Sequence, residues 1–144
     1  MIRFQGVEPF PIPPDQLFAK LTDATFLVKS LPDAEIESAT MDKAVWKMAP
    51  KLAFISGKLE TSLTVIERSP VSQAKYSILG KAVGASSTVE AILNFEPTDI
   101  GTTINWTGEI TALTGLLKLV PKGLIQSAAE KVIADVWASV RASV

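Results

Sequence analysis

The feature that most constrains the fold is an alternation of apolar and polar side chains that recurs between residues 33 and 112. Tyr76 and Ile78, for example, alternate with Lys75 and Ser77. This period of two is typical of strands that have one face on a core and the other in water. The alternation breaks at 41–42, 68–70, 83–84 and 97–101. Because these links are short, six strands are expected to pair as an antiparallel meander.

The residues before this region predict one further strand and two short helices. Ile2, Phe4 and Gly6 share one face of a strand, which the prolines at 9, 11, 13 and 14 are expected to end. Pro14 suits the first turn of a helix that continues to residue 21. Asp23 is the predicted N-cap of a second helix, at about 24–30.

The pattern changes after residue 113, and from Leu124 the apolar residues recur at steps of one, three and four. This spacing predicts an amphipathic helix of about twenty residues, roughly 30 Å long. A sheet with one apolar face needs a cover, and this helix is the only predicted element large enough. The chain is therefore predicted to be a single α+β domain over residues 1–144. A seven-stranded curved antiparallel sheet would wrap around the C-terminal helix, with the two short helices after strand 1.

The composition narrows the chemistry, because the 144 residues include neither cysteine nor histidine. Without cysteine there are no disulfides, thiolate nucleophiles or thiolate metal sites. Without histidine the commonest general base and metal ligand at neutral pH is missing. No cofactor and no metal site are expected.

The charge and hydropathy patterns concern the partners and the location. A net charge of −1 gives no basic cluster for nucleic acid. No apolar run reaches the length of a membrane span, and the N-terminus lacks the apolar core of a signal peptide. The expectation is a cytoplasmic protein, with peripheral contact at the inner membrane face as a further option.

The order of elements, together with several short motifs, resembles a known superfamily. The motifs are Phe4-Gln5-Gly6, Ile12-Pro13-Pro14, Leu21-Thr22-Asp23, Ser30-Leu31-Pro32-Asp33, Ile55-Ser56-Gly57, Thr102-Thr103-Ile104-Asn105-Trp106 and Leu113-Thr114-Gly115-Leu116-Leu117. They resemble the START-like or helix-grip superfamily (SRPBCC, Bet v 1-like), and most closely its carbon monoxide dehydrogenase CoxG family. The resemblance implies an apolar ligand between sheet and helix. It also implies a role in recruiting or maturing a molybdenum hydroxylase at the membrane.

Large side chains on the predicted inner face are candidates for a ligand cavity, although they could equally be packed core. The candidate ligand-binding residues are Phe26, Trp46, Met48, Tyr76, Phe95, Trp106, Leu116, Val120 and Leu124. Small residues at the same parity are expected to leave space, namely Gly57, Ala74, Gly80, Ala85, Ser87, Ala91 and Gly108.

Catalysis finds little support, and no catalytic residue is predicted. Glu60, Glu90, Glu96 and Glu109 all fall on the outer parity, whereas an acid–base mechanism needs an inward carboxylate. Tyr76 is the one inward acidic group, and its hydroxyl is expected to orient a ligand or to bond a core partner.

The segment 113–123 is a candidate gate, or a contact for a membrane or partner. Its residues Leu117, Lys118, Leu119 and Lys122 combine apolar bulk with positive charge, and at least one of its large aliphatic side chains should be exposed. The alternative is a helical turn packed on the rim of the sheet.

Three functions remain open at this point. The first is noncatalytic binding of a small hydrophobic ligand such as a lipid or a quinone. The second, from the resemblance, is a docking or assembly accessory of a carbon monoxide dehydrogenase-like molybdenum hydroxylase, with that oxidoreductase as partner. The third is a polyketide cyclase-like enzyme that uses Tyr76 and bound water.

Overall fold

The computed structural model describes residues 2–49 and 57–144. Its strands are β1 Ile2–Phe10, β2 Glu35–Ala39, β3 Lys43–Met48, β4 Leu59–Ser69, β5 Gln73–Ala82, β6 Ala85–Thr98 and β7 Gly101–Gly115. Its helices are α1 Pro14–Leu21, α2 Ala24–Lys29 and α3 Lys122–Ser143, with a 3₁₀ helix at Leu116–Leu119. Ile55 and Ser56, where the fourth strand was predicted to begin, lie outside the described residues.

The seven strands form one antiparallel sheet in the order β1-β7-β6-β5-β4-β3-β2. Each strand from β2 to β7 pairs with its neighbours in sequence, and β1 closes the order by pairing with β7. The helix-grip architecture predicted from the alternation is confirmed: a curved sheet, a long C-terminal helix and two short helices after the first strand.

The prediction that prolines end β1 early was wrong. β1 continues through Pro9 to Phe10, and Phe10 is buried. A proline cannot donate a ladder hydrogen bond, but β1 is an edge strand, where a missing N–H is tolerated.

The two short helices sit where the sequence predicted them. Leu17, Phe18 and Leu21 of α1 are buried, and the Asp23 side chain caps α2 by accepting from the Thr25 N–H at 3.0 Å. Arg68 holds this corner to the sheet. Its Nη2 donates to the carbonyl oxygens of Thr22 and Met41, at 2.8 and 2.9 Å.

The helix α3 is held most firmly near its ends. Ile125 and Val140 are its buried residues, and they belong to two different apolar clusters of the core. Near the C-terminal end, Arg141 donates to the Pro9 carbonyl at 2.6 Å and to Glu8 at 2.9 Å, and its guanidinium stacks over Phe10. Between these anchors the helix spans the sheet, and this geometry leaves room beneath it.

Candidate ligand-binding site

A cavity of about 410 Å³ lies between the inner face of the sheet and α3. Its walls come from β1, β3–β7, the two short helices and one face of α3. The α3 residues on the wall are Ile125, Ala128, Ala129, Val132, Ile133, Val136, Trp137 and Val140. The opening runs beside Val132 and Val136, which line the cavity and are still 43% and 38% exposed.

The lining is almost wholly apolar. Among the described residues no Asp, Glu, Lys or Arg lines the cavity, and its polar side chains are Thr61, Tyr76, Ser86, Ser87 and Thr107 together with the two indoles. This agrees with the expectation that glutamates of the strands point outward. Such a surface favours an uncharged apolar molecule, since a charged group would lose its hydration without a partner.

The structure brings four of the predicted site residues to the cavity wall: Trp46, Tyr76, Trp106 and Leu117. Leu117 was predicted as a surface contact, and this was wrong, because only 7% of it is exposed. It packs with Ile2, Phe4, Ile110 and Ile125 at one end of the cavity.

The other predicted lining residues lie elsewhere. Phe26, Phe95 and Met48 pack into the core beside the cavity, and Phe95 stacks edge-on against Phe18 at 5.2 Å between ring centroids. Val120 packs against the Leu117 cluster. Leu116 and Leu124 are 55% and 56% exposed and do not line the cavity.

Small residues create the space, as the sequence predicted. Gly80, Ala85, Ser87, Ala91 and Gly108 line the cavity. A Cβ added at Gly108 would meet no atom within 4 Å, so this part of the inner face borders open volume. Two residues of the predicted set do not contribute: Ala74 is buried in the core and Gly57 is exposed.

The Tyr76 hydroxyl serves the core. It donates to the Leu21 carbonyl oxygen at 2.6 Å, and burial raises the pKa of Tyr76 well above its ordinary value. Arg68 opposes that rise in pKa only weakly. The hydroxyl therefore stays protonated at neutral pH and holds α1 against β5.

The two cavity tryptophans differ from Tyr76 in their hydrogen bonding. The indole nitrogens of Trp46 and Trp106 are buried and have no hydrogen-bond partner in the described part of the chain. Trp106 lies flat over Gly6 and contacts Trp137 of α3, with 6.1 Å between ring centroids. It thus forms the wall between the cavity and a shallower groove that runs between β1 and α3.

The candidate gate has a buried side and an exposed side. The 3₁₀ helix begins after Gly115, whose φ of 61° and close approach to the Gly84 carbonyl exclude a side chain. Leu119 is 80% exposed, and Lys118 and Lys122 are also exposed. The prediction that at least one large aliphatic side chain of this segment is exposed is therefore confirmed.

The sequence patterns missed two groups of lining residues. One comprises Leu21, Leu27 and Leu31 of the short helices and the turn after them, and the other is the α3 face around Ala128 and Ala129. The adjacent alanines were a usable signal, because small residues let the helix pass over the sheet without filling the space below.

The described residues contain neither a metal-ligand cluster nor a membrane-spanning helix. Within residues 2–49 and 57–144, no three acidic, histidine or cysteine side chains come together as metal ligands do. No helix in these ranges is long and apolar enough to cross a membrane.

The fold and the cavity define a helix-grip, START-like protein, and comparison with solved structures agrees. A conserved protein from Geobacillus kaustophilus matches with 18% identity and a TM-score of 0.82, over 97% of this chain and 93% of that chain. A Rhizobium loti protein matches with 14% identity and a TM-score of 0.70, over 99% and 96%. The Bet v 1-like allergen Ara h 8.0201 matches with 14% identity and a TM-score of 0.65, over 98% and 95%. At these identities the likeness concerns the fold alone.

The family follows from a match to residues 6–144. The chain belongs to the CoxG family, which is named after the G-type subunit of carbon monoxide dehydrogenase. No curated protein matches it.

Proposed function

We propose that this protein binds a small hydrophobic molecule, such as a lipid or a quinone, between its sheet and α3. The observation that carries the proposal is the cavity of about 410 Å³ with no charged residue on its described lining. Ligand sites typically measure about 300–1,000 Å³ and are mostly apolar, with a few polar groups. Protein interiors are otherwise packed like organic crystals, so a void of this size is exceptional in a core.

The role is binding rather than catalysis. The hydroxyl of Tyr76 is committed to the Leu21 carbonyl, and the described lining offers no carboxylate, lysine or arginine as acid or base. The cyclase-like alternative would need such a group within reach of its substrate.

Titration with N-phenyl-1-naphthylamine, a neutral apolar fluorophore, tests this proposal. Fluorescence should rise saturably with one site per chain. A ligand removed by organic extraction should compete with the fluorophore and should be identifiable by mass spectrometry. A chain that neither binds the fluorophore nor yields an extracted molecule would show that the cavity is not a binding site.

A second candidate function, docking on a membrane of anionic lipid, rests on one end of the molecule. The β5–β6 turn and the segment that leads into α3 meet there, where the Leu116 N–H donates to the Gly84 carbonyl at 2.9 Å. Val83 and Leu119 project from this end with 78% and 80% of their surface exposed, beside the half-exposed Leu116 and Leu124.

The charge of this end favours an anionic surface. Lys81, Lys118 and Lys122 are exposed in these two segments, and residues 79–89 and 110–129 contain no Asp or Glu. Exposed apolar side chains ringed by lysines match the interface of an anionic bilayer, where each basic residue contributes about 1 kcal/mol. Leu117 and Ile125 of the same region line the cavity, so a ligand could pass between bilayer and protein there.

Vesicle co-sedimentation separates this function from its alternatives. The chain should bind vesicles that contain phosphatidylglycerol and leave pure phosphatidylcholine vesicles unbound. Leu119→Asp should abolish binding without lowering the melting temperature, whereas Ile100→Asp, equally exposed at 80% on the β6–β7 turn, should leave binding unchanged. If neither vesicle binds but a carbon monoxide dehydrogenase-like enzyme does, the end docks on that oxidoreductase instead.

A further inference from the structure

One row of residues across the cavity wall is polar, although the rows beside it are apolar. The strand register aligns Trp46, Thr61, Gly80, Ser87 and Leu113 on β3–β7 as successive pairing partners, and all five line the cavity. The hydroxyls of this row stand at one level of the sheet, with Gly80 between them.

The next row shows the contrast. Leu63, Ile78, Val89 and Ile110 are aligned in the same way and line the same cavity, with no polar side chain among them. The Thr61–Ser87 row is therefore a local polar site within an apolar surface.

The Thr61 hydroxyl differs from the other buried hydroxyls of the described chain. Thr22 donates to the Phe18 carbonyl and Thr102 to the Ile12 carbonyl, each at 2.7 Å. Thr61 is only 9% exposed, and its hydroxyl makes no hydrogen bond to any described residue. Buried hydroxyls in native proteins nearly always have a partner, so a partner for Thr61 is missing.

The same holds on the other side of Gly80. The Ser87 hydroxyl has no hydrogen bond within the described residues, and its Oγ lies 3.2 Å from the position that a Gly80 Cβ would take. Gly80 thus leaves a notch between two free hydroxyls. At the end of the row, the buried indole N–H of Trp46 is also without a partner among the described residues.

We infer that this row is the polar subsite of the cavity, and that it binds an oxygen function of an otherwise apolar ligand. The inference rests on the proposed ligand binding and adds the class of ligand and its orientation. Each hydroxyl can donate to a carbonyl or ether oxygen and can accept from a ligand hydroxyl. The hydrogen-bonding end of the ligand lies against Gly80, and its apolar part lies along the Leu63–Ile110 row.

A matched pair of fluorescent probes tests the inference. 2-Acetylnaphthalene carries a carbonyl where 2-isopropenylnaphthalene carries an isosteric CH₂ group. The wild type should prefer the ketone by roughly 3- to 10-fold, the effect of one or two net hydrogen bonds. Thr61→Val combined with Ser87→Ala should abolish this preference and keep the affinity for the hydrocarbon within about twofold. Thr64→Val, on the outer face of β4, should leave the preference intact.

The outcomes are separable from failure of the binding proposal itself. If neither probe binds, the cavity is not a ligand site. If both probes bind equally to the wild type, water satisfies the two hydroxyls and the inference is overturned. A preference that survives in the double variant also overturns it. Melting curves identify a double variant that fails to fold, and Ser87→Ala alone then serves, with an expected partial loss of the preference.

Discussion

Gly108 offers the sharpest test of whether the space under α3 is real. It is buried on the inner face of β7, pairs with Phe4 and Ala91, and borders open volume. Gly108→Leu would place four carbon atoms in the cavity. At about 0.8 kcal/mol for each buried CH₂ the transfer is worth about 3 kcal/mol, from which side-chain ordering removes roughly 0.5–1 kcal/mol.

The expected result is a gain in the free energy of unfolding of about 2 kcal/mol together with loss of ligand binding. For a chain of this size the melting temperature should rise by roughly 5–10 °C. Urea denaturation measures the first effect, and titration with N-phenyl-1-naphthylamine measures the second.

Gly6→Ala is the matched control, because Gly6 is also an inner-face glycine of a neighbouring strand. Its added Cβ would lie 2.7 Å from the Trp106 ring, so overpacking should lower stability by about 1–3 kcal/mol. The two substitutions should therefore have opposite signs. If Gly108→Leu destabilises the protein as Gly6→Ala does, the space is filled in solution and the reasoning about the cavity fails.

Three further predictions concern the elements around the cavity. Arg141→Ala should lower the free energy of unfolding by about 1–2 kcal/mol in urea, through loss of the Pro9 carbonyl bond and the Phe10 stacking, whereas Glu8→Gln should cost less. A chain that ends before Leu124 should show no cooperative melting, since it lacks the cover of the sheet; a sharp transition would show that α3 is dispensable. Because burial raises the folded-state pKa of Tyr76, stability should hold below pH 10 and fall as pH rises above it, by up to about 1.4 kcal/mol per unit. Tyr76→Phe should reduce this alkaline loss, and an unchanged pH profile would contradict the role of burial.

The sequence predicted the fold well, because a period of two and a period near 3.6 are local signals. It could not set the depth of each inner-face residue. Phe95 and Trp106 both point inward, but Phe95 lies at the level of α1, where Phe18 covers it, and Trp106 lies under α3. Parity gives the face of a strand, and only the three-dimensional arrangement gives the level along it.

The helix shows the same limit. Leu124, Val132 and Val136 fit the apolar face of the predicted helix, yet each is substantially exposed. An amphipathic pattern assumes packed atoms beneath the helix, and a cavity is an absence of such atoms. The small residues hinted at the space, but its size depends on how α3 is anchored at Ile125 and Arg141, which no local pattern encodes.

The pairing of β1 with β7 makes the completion of this fold a late event in synthesis. Arg3 and Glu109, an ion pair across these two strands, are 106 positions apart in the sequence. At about 5–20 residues per second, a ribosome needs roughly 5–20 s to make the chain between them. During that interval the apolar side of β1, with Ile2 and Phe4, has no strand beside it, and such nonlocal pairing slows folding. The nascent chain is therefore expected to need protection from aggregation until β7 has left the ribosome.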